Sequence, residues 1–243
     1  MRLIKLLLLT SIIAITSGCT SSPEHKTINN ENKEKLYIET NNTTKLIEYY
    51  KLSLQENDNA DTRIKLAQSY LNIGDYDSSI FVLSQIKMEE MSTLGHQVLA
   101  RTYLRKGDYK KAQQQAEILV GLDKNIAESY NILGICAVKE KEFVVAIDYF
   151  NQAKMHFYND EVVRNNIALV YLLTGQLEKS YELINYNHQR NPNNEQTMAN
   201  LVLLLIKLNK IEVAQDLLRK NGVSEKEIDT IIKNIENRDL SIQ

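Results

Sequence analysis

The sequence predicts an all-α fold in which pairs of helices repeat along the chain and stack into a solenoid. Three observations carry that prediction. Turn segments recur at a near-constant interval: Gly74, Gly107, Lys141, Gly175 and Asn209 open "GDYDSSI", "GDYKKAQ", "KEFVVAI", "GQLEKSY" and "NKIEVAQ", and lie 33, 34, 34 and 34 residues apart. Small residues keep the same register in the following helix, at Ser79, Ala112, Ala146, Ser180 and Ala214; apolar ones keep it in the preceding helix, at Leu66, Leu99, Leu133, Ile167 and Leu201. Helix breakers and strand-like alternation are scarce, with 2 prolines in 243 residues.

At the N-terminus, Arg2 and Lys5 precede an apolar run from Leu6 to Ile15 that only Thr10 and Ser11 interrupt. A spanning helix needs about 20 apolar residues, so residues 1–18 read as a signal peptide. Thr16, Ser17 and Gly18 then lead into Cys19, a stretch that resembles the lipobox of bacterial lipoproteins. That resemblance implies lipidation of Cys19 and a membrane partner reached through the lipid anchor. With Thr20 next, it implies the outer membrane, facing the periplasm. Several acyl chains on one residue anchor stably where one binds only marginally. Residues 19–44 are rich in Ser, Asn, Thr, Lys and Glu and are expected to form a flexible linker, with a span of roughly 25–30 Å. Leu36 to Ile38 are expected as a weak helix inside it, and "KLIEYYKLSL" at 45–54 as a stronger one.

The repeats fall at about 60–92, 93–126, 127–160, 161–194 and 195–228, within a domain spanning 45–238. In each, two amphipathic helices flank a turn whose glycine tolerates positive φ. Ala67, Ala100, Gly134, Ala168 and Val202 allow close approach from the first helix, and Leu83, Phe150, Ile184 and Leu218 fill the space from the second. A large side chain at Gly134 has nowhere to go, whereas alanine there is expected to be mild. Asn187 and Asn221 replace small apolar residues, so the last two units are expected to be degenerate. Pro192 in "RNPNNE" forbids helix continuation, and "SEKE" at 224–227 has capping-box spacing. It opens a final helix, 225–237, expected to cap the solenoid. One unit cannot bury its apolar face alone, so neighbours must stack.

Period and small-residue pattern together resemble tetratricopeptide repeats over about 60–228. The resemblance implies a right-handed solenoid of about five helix pairs, with the first helix of each pair lining a groove for a protein partner. It points Ile64, Gln68, Leu71 and Asn72 inward in the first unit, and Gln97, Arg101 and Arg105 in the second. Asn131 and Ile135 follow in the third, Asn165, Leu169, Leu172 and Leu173 in the fourth, and Leu203 and Ile206 in the fifth. The groove so drawn runs from polar and basic to apolar, and its apolar part suits an amphipathic or extended segment of a partner.

A net charge of −2 gives no electrostatic case for nucleic acid. His25, His96, His156 and His188 are widely separated, with no HExxH pattern, no GxSxG and no phosphate-cradling glycine loop. No metal, cofactor or catalytic residue is therefore expected. Cys136, the second of 2 cysteines, is expected as a small buried hydrophobe. The expected function is a binding scaffold and not an enzyme. Signal, anchor and repeats together resemble outer-membrane pilus-assembly lipoproteins, most of all the TadD family of the tight-adherence (Flp) system and next the PilF/PilW pilotins of type IV pili. That implies a role with the secretin or other pilus-assembly proteins. The alternative is a lipoprotein adaptor for peptidoglycan hydrolases or proteases.

Overall fold

Every unit is a helical hairpin closed by the same turn. The computed structural model describes residues 30–237, so Cys19, the signal peptide and the first part of the expected linker lie outside the described residues. All regular structure among the described residues is helical. A pair formed by α1 (Asn30–Glu39) and α2 (Thr43–Glu56) comes first. Five pairs follow: α3 (Ala60–Asn72) with α4 (Tyr76–Ser84), α5 (Thr93–Lys106) with α6 (Tyr109–Leu122), α7 (Ala127–Lys139) with α8 (Phe143–Met155), α9 (Asp160–Leu173) with α10 (Leu177–Arg190), and α11 (Glu195–Lys207) with α12 (Ile211–Lys220). A single helix, α13 (Glu225–Glu236), ends the stack, and at its start the Glu227 carboxylate accepts from the Ser224 backbone N–H at 3.1 Å. Consecutive helices pack on one another, and first helices also touch across unit boundaries, α3 on α5, α5 on α7, α7 on α9 and α11 on α13. That second set of contacts lines up α3, α5, α7 and α9 along one inner face, and α9 and α11 meet it in a shared depression.

The five pairs α3–α12 and the cap occupy the predicted register. The pair α1–α2 adds to them. Asn41, Gly74, Gly107, Lys141, Gly175 and Asn209 all take positive φ, from 54° to 86°. In each case the N–H of that residue and the N–H after it close on carbonyls of the preceding turn. Gly74 donates to Leu71 at 3.1 Å and Asp75 to Tyr70 at 2.9 Å; Asn41 donates to Ile38 at 3.0 Å and Asn42 to Tyr37 at 2.8 Å. A non-glycine residue in the left-handed region costs about 1–2 kcal/mol, yet Lys141 and Asn209 adopt it. Helix packing, then, sets this turn, and glycine only makes it easier. Asn41 precedes Gly74 by 33 residues, one further period, so a region expected to be linker becomes a helical hairpin from Asn30 onward.

What holds that hairpin differs in chemistry from the other five. Where the later units carry Ala67, Ala100, Gly134, Ala168 and Val202, the α1 position is Glu34; where they carry Leu83, Phe150, Ile184 and Leu218, the α2 position is Tyr50. The Tyr50 hydroxyl donates to Glu34 Oε1 at 2.9 Å, and Lys65 Nζ of α3 donates to the same oxygen at 2.8 Å. A polar bridge replaces a small-against-large apolar contact. Burial alone raises the Glu34 pKa, but the bonds from Lys65 and Tyr50, with the Lys65 charge, outweigh it and hold the carboxyl below its ordinary value.

The apolar version is tightest in the third unit. A Cβ added at Gly134 would stand 2.5 Å from the Phe150 ring, which is itself buried. Alanine is therefore not mild at this position, because a fully enclosed ring cannot swing away as a chain end could. Asn187 likewise departs from expectation. It is buried, donates to the Glu161 carbonyl at 3.0 Å and to Asn165 Oδ1 at 2.9 Å, and accepts from Arg164 Nε at 2.5 Å. A polar junction of α9 and α10 takes the place of an apolar contact there.

Two outcomes are expected. Gly134→Ala destabilises by about 1–3 kcal/mol through overpacking, and adding Phe150→Leu recovers part of the loss; a urea midpoint unchanged in Gly134→Ala would remove the close approach. Because the Glu34 pKa is depressed in the folded state, its contribution is present above the unfolded value, about 4.3, and is lost as pH falls through the folded one. Hydrogen-exchange protection of α1 should therefore drop in acid ahead of α7. The Glu34→Gln variant should show weak α1 protection already at neutral pH.

Candidate partner-binding surface

The inner face is built by residues that α3, α5, α7, α9 and α11 turn away from their own second helices. Its middle is filled. Asn131 is only 5% exposed; it donates to the Tyr158 hydroxyl at 3.4 Å and accepts from Asn166 at 2.8 Å. The ring of His156 stacks on Tyr130 with centroids 5.1 Å apart. Beside them the Nε of Arg101 is buried 3.2 Å from Glu128, without the alignment of a hydrogen bond. Burial raises the Glu128 pKa and Arg101 partly offsets it. This interior ties units two, three and four together.

Openings lie on either side. Toward the N-terminus, a cleft of about 610 Å³ is walled by Gln68, Asn72, Arg101 and Arg105, and by Asn41 and Tyr76 from two turns. Next to it a more apolar cleft of about 250 Å³ lies between Ile38 of α1, Leu46 and Tyr50 of α2, Ile64 of α3, and Leu94 and Val98 of α5. Toward the C-terminus, Asn165, Leu169, Leu172, Asn200 and Leu203 line a shallow apolar depression of about 40 Å³ over Ile184 and Leu204.

The groove residues expected from the sequence therefore divide: on α3, Gln68, Leu71 and Asn72 line the large cleft, whereas Ile64 is a correction, 1% exposed in the core. Arg101 and Arg105 share the large cleft, and Asn165, Leu169, Leu172 and Leu203 share the apolar depression. Gln97 is half-buried on α5 and lines none of these openings. Asn131 and Ile206 are corrections: each is 5% exposed, Asn131 in the polar interior and Ile206 in the apolar cluster that includes Ile228 and Ile232 of α13. The capping helix covers that end of the groove. Ile135 and Leu173 pack against the third unit's core and Leu172 against the fifth's, whereas Leu169, 45% exposed, belongs to no core cluster. Asn41, Tyr76, Ile38 and Leu46 were missed because they belong to the unforeseen first unit or to turns. The interval from Asn41 to Gly74 was the available signal.

His96 Nδ1 lies 2.9 Å from Gln115 Oε1 on α6, far from the stacked His156. Among the described residues no cluster of His, Cys, Asp and Glu could hold a metal ion. Cys136 is buried, its Sγ donates to the Tyr109 carbonyl at 3.4 Å, and burial, helped by Glu140 and Glu117, pushes its thiol up to about 11. Such a thiol is inert at neutral pH. No helix among the described residues is long and apolar enough to cross a membrane.

A scan against protein-family models finds no match, and neither does a search of curated protein sequences. Solved structures do match. A tetratricopeptide-repeat protein from Parabacteroides merdae superposes with a TM-score of 0.68 at 13% identity, over 85% of this chain and 84% of that one. A thermophilic tetratricopeptide-repeat protein from Thermus thermophilus gives 0.60 at 16% identity, over 73% and 99%. The Pseudomonas aeruginosa pilF structure gives 0.58 at 20% identity, over 75% and 86%. The likeness lies in the helical architecture, with little sequence behind it. The chain has the fold of a tetratricopeptide-repeat solenoid.

Proposed function

We propose that this protein is a protein-binding scaffold of the cell envelope. On this reading it is anchored in the outer membrane through lipidated Cys19 and assists assembly of a pilus machine of the tight-adherence type at the secretin. The observation that carries the binding role is the depression between α9 and α11: among the described residues it stays open, and it holds half-exposed Leu169 beside Leu203. Apolar side chains held in a depression on a rigid stack are what an amphipathic segment of a partner requires. The envelope address rests on the positive start, short apolar run and Cys19 of the sequence. The pilus assignment rests on the combination of that anchor with the repeats.

Leu169 and Leu203 give a test, since neither belongs to an apolar core cluster. The Leu169→Gln, Leu203→Gln pair should shift stability by no more than about 1 kcal/mol, each surface change costing about half of that. It should abolish co-purification of the partner from solubilised outer membranes and reduce assembled secretin. A collapse in melting would return these leucines to the core, and intact melting with intact capture would move the partner off the inner face. The anchor is tested separately: Cys19→Ala should lose incorporation of labelled fatty acid and leave the outer-membrane fraction, and retention of both would contradict lipidation there.

A further inference from the structure

Every unit enters at the start of its first helix and leaves at the end of its second, so entries and exits share the edge opposite the positive-φ turns. On that edge three consecutive connections put apolar side chains into solvent. They are Met88 between α4 and α5, Leu122 at the end of α6, and Met155 with Phe157 at the end of α8, each more than half exposed. Met88, Leu122 and Met155 lie 34 and 33 residues apart, about one period each, so they form a ridge across three stacked units. The connections on either side, Asn57 to Asn59 and Asn191 to Asn194, are polar. A bounded apolar patch with a polar rim marks a surface that meets a partner protein or a lipid.

Phe157 stands out within the ridge. Its φ is 65°, in the left-handed region where glycine or asparagine is usual and a bulky residue is strained. No packing of the ring offsets that strain, since it is 96% in solvent. Its neighbours turn the other way: the His156 ring stacks on Tyr130, and the Tyr158 hydroxyl accepts from Asn131. Those two rings pin the loop to the interior and hold Phe157 out. Strain that the surroundings enforce at an exposed residue points to a use for it.

We propose that this edge rests on the lipid surface to which Cys19 is anchored, with Phe157 and the ridge inserted just below the headgroups. The course of the chain selects lipid over protein as the occupant. Helix α1 starts on this same edge, and the 11 residues from Cys19 to Asn30 span at most about 40 Å. An anchor of that reach keeps the edge at high local concentration against the bilayer, where weak insertion of a few side chains suffices. Charge takes little part. Lys87, Lys124 and Lys154 stand beside the ridge, but so do Glu89, Glu90, Asp123 and Asp160. With this edge on the bilayer, the inner face looks along the membrane and stays open to a partner. The inference rests on the Cys19 anchor of the reading above and adds the orientation of the solenoid.

The protein contains no tryptophan, so a single introduced one reports alone. The chain from Cys19, carrying Phe157→Trp, is coupled through the Cys19 thiol to a maleimide lipid in vesicles of phosphatidylethanolamine and phosphatidylglycerol; Cys136 is buried and does not compete. Its emission should shift to the blue and be largely quenched by lipids brominated high on their acyl chains, in high salt as in low. Val144→Trp, at the turn end of α8, should show neither effect. Adding Met88→Gln and Leu122→Gln to Phe157→Trp should weaken the quenching and leave melting unchanged. Quenching absent at Phe157→Trp, or equal at Val144→Trp, overturns the proposal. So does a blue shift without quenching, which would mean that the ridge meets protein, a second copy included. The coupling stands in for the acyl chains, so the fatty-acid label on Cys19 is read separately. An absent label removes the anchor and this proposal with it, whereas quenching lost with the label intact removes the orientation alone.

Discussion

The close approach of the two helices within each unit is the constraint on which the rest of this molecule depends. Gly134 against Phe150 shows it in its tightest form, with no room for even one added carbon. A small residue on the first helix lets the second carry a large one, and the hairpin then exposes two apolar flanks that only neighbouring units can cover. Stacking brings the first helices into contact across unit boundaries. The inner face, and with it the clefts, is a consequence of that contact.

The same constraint is met by different chemistry along the chain. Five units meet it with apolar pairs. The α1–α2 hairpin meets it with Glu34, Tyr50 and Lys65 of α3, which trade packing for hydrogen bonds and make that hairpin sensitive to acid. The α9–α10 hairpin adds the Asn187 junction, in which three neighbours of a buried amide are satisfied at once. Buried amides with complete partners specify one arrangement of helices where apolar contacts alone tolerate several. Turn geometry follows from packing in every case, as Lys141 and Asn209 demonstrate by taking the conformation of the glycines they replace.

Most of the fold was legible because a period is a property of sequence alone. Gly74 to Asn209 located five hairpins and the cap without reference to any contact. The first hairpin was partly legible: helices were expected at 36–38 and 45–54, but glutamate at the small position hid their pairing as a repeat unit, which only the spacing betrays. The site was half legible. Register identifies which helix faces inward, and so it found Arg101, Arg105, Leu169 and Leu203. It cannot tell an inward residue that meets solvent from one that meets another inward residue, which is why Asn131 and Ile206 were assigned to the groove. Their partners, Tyr158 and Asn166 for Asn131 and Ile228 and Ile232 of the capping helix for Ile206, lie between 22 and 35 residues away in the chain.

An inner face kept open by stacked hairpins has an outside to compare with. Phe81 on α4, Val144 on α8 and Phe157 at the end of α8 are exposed apolar side chains too, 66%, 85% and 96% in solvent, and they belong to second helices or their ends. Exposure alone therefore does not single out the inner face. Site-specific photo-crosslinking in cells does. With benzoylphenylalanine placed singly at Leu169, Leu203 and Arg105, and at Phe81, Val144 and Phe157, the inner positions should trap one discrete protein and the outer ones none. Crosslinks to a discrete protein from the outer positions, with the inner ones silent, would contradict an inner working face.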